Sequence, residues 1–78
     1  MKVKITKPDS ILYDGEAQLV QLPGTSGLFE IMPHHAPIIS ALAKGQLRLI
    51  TMEKETKTFD IRGGVVKCQK DDIMILVQ

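Results

Sequence analysis

The sequence predicts an all-β protein, a small antiparallel β-sandwich formed by one domain over residues 1–78. Apolar and polar residues alternate with a period of two in several segments, as in strands with one wet face. Gly, Pro, Asp and Ser separate these segments at short intervals. No window of a dozen residues combines helical apolar spacing with capping residues. Many short strands separated by turns are typical of a sandwich or barrel.

The N-terminal third predicts two extended segments. Val3 and Ile5 alternate with polar residues and indicate a first strand, which residues 8–10 end. Residues 11–22 are extended in character, but Asp14-Gly15 is a typical turn or bulge sequence. We therefore expect two pieces of strand with a kink between them.

The middle of the chain contains most of its turn-forming residues. Gly24-Thr25-Ser26-Gly27 predicts a turn, and residues 28–32 predict a short strand after it. Pro33 and Pro37 bracket a rigid, non-helical corner, because each lacks an N–H and restrains the residue before it. Residues 38–42 form a third apolar run, which is either a strand or a short helical turn.

The C-terminal half predicts two hairpins. Residues 46–62 alternate around a polar connection, and Gly63-Gly64 ends this hairpin. Residues 65–68 form a further short strand, and residues 69–72 form its turn. Residues 73–77 are five apolar residues in succession. Such a strand is covered on both faces or shows one face to a partner.

Composition excludes several classes of function. Ten Lys and Arg balance nine Asp and Glu, and the basic residues are dispersed, so no nucleic-acid footprint is predicted. Cys68 is the only cysteine, which excludes an intrachain disulfide and predicts a small buried side chain. No apolar run approaches the roughly 18–20 residues of a membrane span. A core of this size supplies only about 3–5 kcal/mol, which favours stabilisation by a partner.

The sequence contains weak signals for chemistry. His34 and His35 are adjacent and point to opposite faces of an extended chain, so with Glu30 they are poor candidates for one metal ion. Residues 24–27 lack the Lys-Ser/Thr pair of a phosphate loop. The residues favour a non-catalytic β-domain, with no cofactor and no metal, that binds another protein. Two alternatives stay open: a stand-alone β-domain that binds a ligand or oligonucleotide, and a metal-dependent enzyme using His34, His35 and Glu30.

Several segments also resemble a known family in their order and spacing. They are Leu12-Tyr13-Asp14-Gly15-Glu16, Leu22-Pro23-Gly24-Thr25-Ser26-Gly27, Leu28-Phe29-Glu30-Ile31-Met32, Pro33-His34-His35-Ala36-Pro37, Ile38-Ile39-Ser40-Ala41-Leu42, Lys44-Gly45 and Arg62-Gly63-Gly64-Val65-Val66. Together they look like the N-terminal β-sandwich of the epsilon subunit of F-type ATP synthases, over essentially the whole chain.

The resemblance implies a non-catalytic central-stalk subunit that turns with the rotor of a proton- or sodium-translocating ATP synthase. Its implied partners are the gamma subunit and the c-ring, at the cytoplasmic face of the bacterial inner membrane, with membrane contact only through the complex. By position, the implied gamma contacts are Lys7, His35 and Ser40. The implied c-ring contacts are Ser26, Gly27, Leu28 and Phe29.

The sequence departs from this family at four places. Glu30 and His34 stand where the family usually has Gly, which suggests a different corner backbone. Leu28 stands where the family often has an acidic residue. This difference argues against a polar contact with the c-ring at this position. The family also continues into a C-terminal helical hairpin that inhibits ATP hydrolysis, and residues 1–78 contain none. The start at Met1 without a tag favours a naturally short form, for which that inhibition and nucleotide binding are expected to be absent.

Overall fold

The computed structural model describes residues 1–78, which form eight strands and no helix. No element therefore has the length and apolarity that a membrane-crossing helix requires. The strands are β1 (Lys2–Lys7), β2 (Ser10–Gly24), β3 (Gly27–Ile31), β4 (Ile38–Leu42), β5 (Gly45–Thr51), β6 (Thr56–Ile61), β7 (Gly64–Gln69) and β8 (Asp72–Val77).

The long strand β2 belongs to both layers of a β-sandwich. Its N-terminal half pairs with β1, and its C-terminal half pairs with β3 and β5. One layer runs β4–β7–β8–β1, and the other runs β3–β2–β5–β6. The predicted all-β sandwich is confirmed. One pairing differs from the antiparallel prediction, because β1 and β8 are parallel.

The Asp14-Gly15 signal does not produce a turn. Both residues continue β2 and pair with Lys4 and Val3 of β1. The irregularities lie on either side: the pairing with β1 skips Leu12, and the pairing with β5 skips Gln18. A β-bulge inserts one unpaired residue and bends its strand. β2 is therefore one continuous strand with two bulges, and it changes from one layer to the other where its pairing with β1 ends at Glu16 and its pairing with β5 begins at Ala17.

The other predicted elements agree with the structure more closely. Residues 38–42 form the strand β4, so the alternative of a helical turn is wrong. Strands β5 and β6 form the predicted hairpin. Gln69 pairs with Asp72 across a two-residue turn in which Lys70 and Asp71 both have positive φ, at 51° and 64°. That pattern is the hairpin turn that matches the twist of its strands.

The core lies between the layers and follows the predicted period of two. Val3, Ile5, Ile73 and Ile75 are buried from one layer, and Leu47 and Leu49 from the other. The free thiol of Cys68 is also buried, as predicted. The whole cluster is Met1, Val3, Ile5, Ala17, Val20, Leu22, Ile31, Leu42, Leu47, Leu49, Ile61, Val66, Cys68, Ile73, Ile75 and Val77.

Candidate docking surfaces

The outward side of the β4–β7–β8–β1 sheet carries exposed apolar side chains. Ile39 of β4 is 73% exposed, and Leu76 of β8 is 48% exposed. Val65 of β7 is 37% exposed, and Met74 of β8 is 43% exposed. We call these four residues the apolar face.

Strand pairing brings the members of the apolar face together. Val65 lies opposite Leu76 on one side and Ala41 on the other. In the next row, Lys67 lies between Ile39 and Met74. The alternate residues of β8 are all buried, so this strand shows the core one apolar side and solvent the other. Contiguous exposed apolar surface marks an interaction site more often than scattered apolar residues do.

The outward side of the second sheet is different in character. Gln21 lies opposite Glu30 and Arg48 in its two neighbouring strands. The Gln21 amide donates to Glu30 Oε2 at 3.1 Å, and the Arg48 guanidinium lies 3.8 Å from the same oxygen. These polar groups satisfy one another within the sheet. The outward side of the β4–β7–β8–β1 sheet is therefore the better candidate for a docking surface.

The three positions implied as gamma contacts lie around this same sheet. Lys7 is exposed at the end of β1, and His35 is exposed in the corner before β4. Ser40 lies within β4 opposite the buried Val66, so its side chain points to the core-facing side and is half-buried. Its outward neighbour is Ile39. The structure thus places these residues at one sheet but turns Ser40 away from the sheet's outer surface.

The corner that carries His35 is a tight turn in which one residue has a left-handed backbone conformation. The His35 N–H donates to the Met32 carbonyl at 3.2 Å, and His34 between them has φ of 69°. Pro33 at the second position and positive φ at the third are the signature of a type II turn. His34 therefore adopts the left-handed conformation that glycine reaches without strain.

Asp71 holds this corner to the β7–β8 turn. Its Oδ1 accepts the His34 backbone N–H at 3.0 Å, and its Oδ2 lies 3.8 Å from the Met1 ammonium. The hydrogen bond from His34 N–H lowers the pKa of the Asp71 carboxyl, and the Met1 ammonium contributes in the same direction. The ionised carboxylate is therefore the form that fastens the His34–His35 corner to the sheet.

Asp71→Asn is expected to lower the melting temperature by a few degrees at neutral pH. A lowered carboxyl pKa stabilises the fold above the unfolded value of about 3.9, and this contribution disappears as pH falls through the folded value. Thermal melts monitored by circular dichroism against pH should therefore show wild type and variant converging in acid. Asn tolerates the left-handed backbone, so the change tests the charge.

The control for this prediction is Asp60→Asn. It removes an exposed carboxylate of β6 that lies opposite Gln46 and makes no hydrogen bond to the His34 turn. Its melting curve should follow that of the wild type more closely. A constant gap between wild type and Asp71→Asn at every pH would contradict the role of the ionised carboxylate.

The four positions implied as c-ring contacts lie at the β2–β3 hairpin. Ser26 is exposed in its turn, and Gly27 begins β3 with φ of 125°. Leu28 is 67% exposed, whereas Phe29 is half-buried and packs against the core. A Cβ on Gly24 would lie 2.8 Å from the Phe29 ring, so the ring lies directly on this glycine. The hairpin tip thus offers Leu28 to solvent while Phe29 anchors the tip to the sandwich.

The residues considered for chemistry do not converge. No group of three or more His, Cys, Asp or Glu side chains is placed to hold a metal ion, so the enzyme based on His34, His35 and Glu30 has no metal centre here. His35 Nδ1 contacts its neighbour's carbonyl, Ala36 O, at 2.6 Å. Burial raises the pKa of the Cys68 thiol, which disfavours the reactive thiolate.

Two features of these surfaces depend on contacts between residues that are distant in sequence. The apolar face was visible only as five successive apolar residues at 73–77, without the rows that join it to β4 and β7. The sequence predicts Asp71 only as part of the turn at residues 69–72, whereas its hydrogen bond with His34 spans 37 residues of sequence. Only the strand pairing brings these residues together.

Comparison with known proteins identifies the family. Residues 1–78 match the family described as "ATP synthase, Delta/Epsilon chain, beta-sandwich domain". A protein described as ATP synthase epsilon chain from Rippkaea orientalis is 34% identical over 99% of this chain and 56% of its own length. An ATP synthase epsilon chain from Leptospira interrogans is 38% identical over 97% of this chain and 59% of its own length. An ATP synthase epsilon chain from Chlorobium limicola is 35% identical over 99% of this chain and 88% of its own length. The chain thus spans little more than half of the first two relatives.

Solved structures share the fold. A chain of the Euglena gracilis mitochondrial ATP synthase, in a structure described as OSCP/F1/c-ring, superposes with a TM-score of 0.90 at 17% identity, covering 96% of this chain and 48% of its own. A chain of the Tetrahymena thermophila mitochondrial ATP synthase, in a structure described as central stalk/c-ring, superposes with a TM-score of 0.84 at 19% identity. The match covers 100% of this chain and 63% of that chain. With the match over all 78 residues, the chain belongs to the ATP synthase delta/epsilon-chain β-sandwich family.

Proposed function

We propose that this β-sandwich is a non-catalytic central-stalk component of a proton- or sodium-translocating F-type ATP synthase, where it couples the gamma subunit to the c-ring. The proposed location is the cytoplasmic face of the bacterial inner membrane, reached through the complex. No cofactor takes part. The observation that carries the proposal is the apolar face, which is exposed on the same sheet at which Lys7, His35 and Ser40 lie.

The size of the core supports docking on a partner. A single core of about this size supplies only about 3–5 kcal/mol. Binding of a partner to the folded state alone adds stability by mass action. A gamma subunit that covers Ile39, Val65 and Leu76 would remove three exposed apolar side chains from water.

The contact with the c-ring is proposed at the β2–β3 hairpin. Its turn and exposed Leu28 project from the other layer, beside the anchored Phe29. An apolar side chain here favours an apolar contact with a c-ring loop instead of a polar one. Two separate surfaces on one closed sandwich suit a coupling element, because a tightly packed body transmits load with little internal deformation.

Co-expression with the gamma subunit of the same genome tests the proposal. We expect a one-to-one complex by size-exclusion chromatography with mass determination. The complex should also melt at a higher temperature than the isolated chain. Elution of this chain alone, beside well-folded gamma, would overturn the assignment.

A further inference from the structure

One end of the β4–β7–β8–β1 sheet contains an open groove lined mainly by lysines. Its volume is about 570 Å³, and it lies over the start of β1, the end of β7 and the turn between β7 and β8. The charged residues that line it are Lys2, Lys4, Lys67, Lys70 and Asp72. We call these five residues the lysine groove.

No lysine of this groove forms an ion pair within 4 Å, although strand pairing places Glu16 and Asp72 beside Lys2 and Asp14 beside Lys4. The ion pairs of the protein join Met1 to Glu16, Met1 to Asp71, and Arg48 to Glu30. Four lysines and one aspartate give the groove a charge of +3, whereas the chain as a whole carries +1. The remainder of the chain is therefore negative by two charges. The basic residues are dispersed along the sequence, and folding brings four of them to one groove.

The groove is continuous with the apolar face. Met74 lies directly between Lys4 of β1 and Lys67 of β7, and Lys67 in turn lies opposite Ile39. Two lysines on either side of one residue are about 10 Å apart, given the spacing of neighbouring strands. Like charges on one face oppose folding and are relieved by an anionic neighbour. Lys67 has only Ile39 and Met74 as cross-strand neighbours, so a negatively charged partner would stabilise the sheet most clearly at this position.

We infer that the partner surface docking on the apolar face is acidic, with carboxylates opposite Lys2, Lys4 and Lys67. This inference rests on the proposed function, in which that partner is the gamma subunit. Apolar groups would form the centre of the contact, and the lysine groove would form a charged rim that steers association. Charge complementarity of this kind acts chiefly on the association rate.

The groove does not have the composition of a nucleic-acid site. Its lining contains no aromatic residue. The chain's three aromatic side chains, Tyr13, Phe29 and Phe59, are half-buried and pack against the core. Bases would therefore find no stacking platform beside the lysines. An apolar surface next to a basic rim fits a folded protein partner.

The test compares association rates with gamma at different salt concentrations. The variant carries Lys2→Gln, Lys4→Gln and Lys67→Gln, and leaves Lys70 in its left-handed turn unchanged. At low ionic strength its association rate constant should fall roughly tenfold, because steering by charge is lost. The difference should shrink near 1 M salt, where the screening length is about 3 Å.

A matched control changes the same number of charges elsewhere. Lys44, Lys57 and Arg62 are exposed and lie outside the groove, so replacing all three by Gln gives the same net charge. This control should associate at close to the wild-type rate. Thermal melts of both isolated variants show that each is folded at the temperature of the rate measurements.

The outcomes separate the inference from the proposed function. A slower groove variant with a flatter salt dependence supports the acidic partner surface. Equal rates for both variants and wild type would overturn it while leaving gamma binding intact. No binding of wild type to gamma would overturn the proposed function and this inference with it. Sedimentation with phosphatidylglycerol vesicles, lost only in the groove variant, would assign the groove to lipid and overturn it as well.

Discussion

Gly64→Ala is expected to unfold the isolated domain or to leave it barely stable. Gly64 is the first residue of β7 and lies between Leu42 of β4 and Val77 of β8. A Cβ at this position would overlap the Leu76 carbonyl oxygen and lie 3.0 Å from Val77 Cα. These are backbone atoms of a paired strand, so they cannot turn aside as a flexible side chain can.

The expected cost of this substitution is large relative to the stability available. Gly64 also has φ of 158°, which a residue with a side chain rarely adopts. Overpacking and backbone strain each cost about 1–3 kcal/mol. Their sum is comparable with the roughly 3–5 kcal/mol that a core of this size supplies. Urea denaturation monitored by circular dichroism should show a much lower midpoint or no folded baseline.

Gly27→Ala is the matched control. Gly27 also has positive φ, at 125°, but nothing lies within 4 Å of the position of its Cβ. Only the backbone conformation opposes this substitution, at a cost of about 1–2 kcal/mol. Gly64→Ala should therefore be clearly the less stable of the two. Equal midpoints would show that the close approach of β7 and β8 relaxes without difficulty.

The strands were predictable because their signal is local. Alternation at Val3 and Ile5, and at Leu47 and Leu49, places these side chains in the core, as the structure confirms. The turns at residues 24–27 and 69–72 also follow from local residue types. Backbone preferences and the period of two suffice for such elements.

The way in which β2 continues from one layer into the other was not predictable from local residue types. Asp14-Gly15 favours a turn locally, but pairing with β1 keeps both residues extended. The ring of Tyr13 also lies near Gly15, where a Cβ would lie 3.1 Å from its hydroxyl oxygen. The Tyr13 hydroxyl donates to the Glu16 carbonyl at 2.7 Å. Tertiary pairing and a local side-chain contact thus outweigh the turn preference.

The docking surface was predictable only in part, because it is assembled from separate strands. Resemblance to a family identifies positions such as Ser40, but it does not say which way a side chain points. The register with Val66 turns Ser40 towards the core and leaves Ile39 outside. A charge at Ser40 would therefore disturb folding and docking together. Ile39 provides the cleaner test.

Ile39→Asp is expected to abolish or strongly weaken gamma binding without unfolding the domain. The Ile39 side chain is 73% exposed, so its removal creates no cavity. The new carboxylate lies opposite Lys67, an arrangement that favours the sheet. In the complex, however, it would be buried against an apolar centre. Losses of about 2–4 kcal/mol at such central positions correspond to a 30- to 1000-fold weaker affinity.

Titration calorimetry with gamma, alongside thermal melts of each isolated variant, separates docking from stability. The control Met52→Asp places the same charge on an exposed apolar residue of the β5–β6 turn, where Met52 is 54% exposed. This control should bind gamma as the wild type does. Leu28→Asp, at the hairpin proposed to meet the c-ring, should also retain gamma binding. If Leu28→Asp loses gamma while Ile39→Asp retains it, gamma docks at the hairpin and the proposed faces are exchanged.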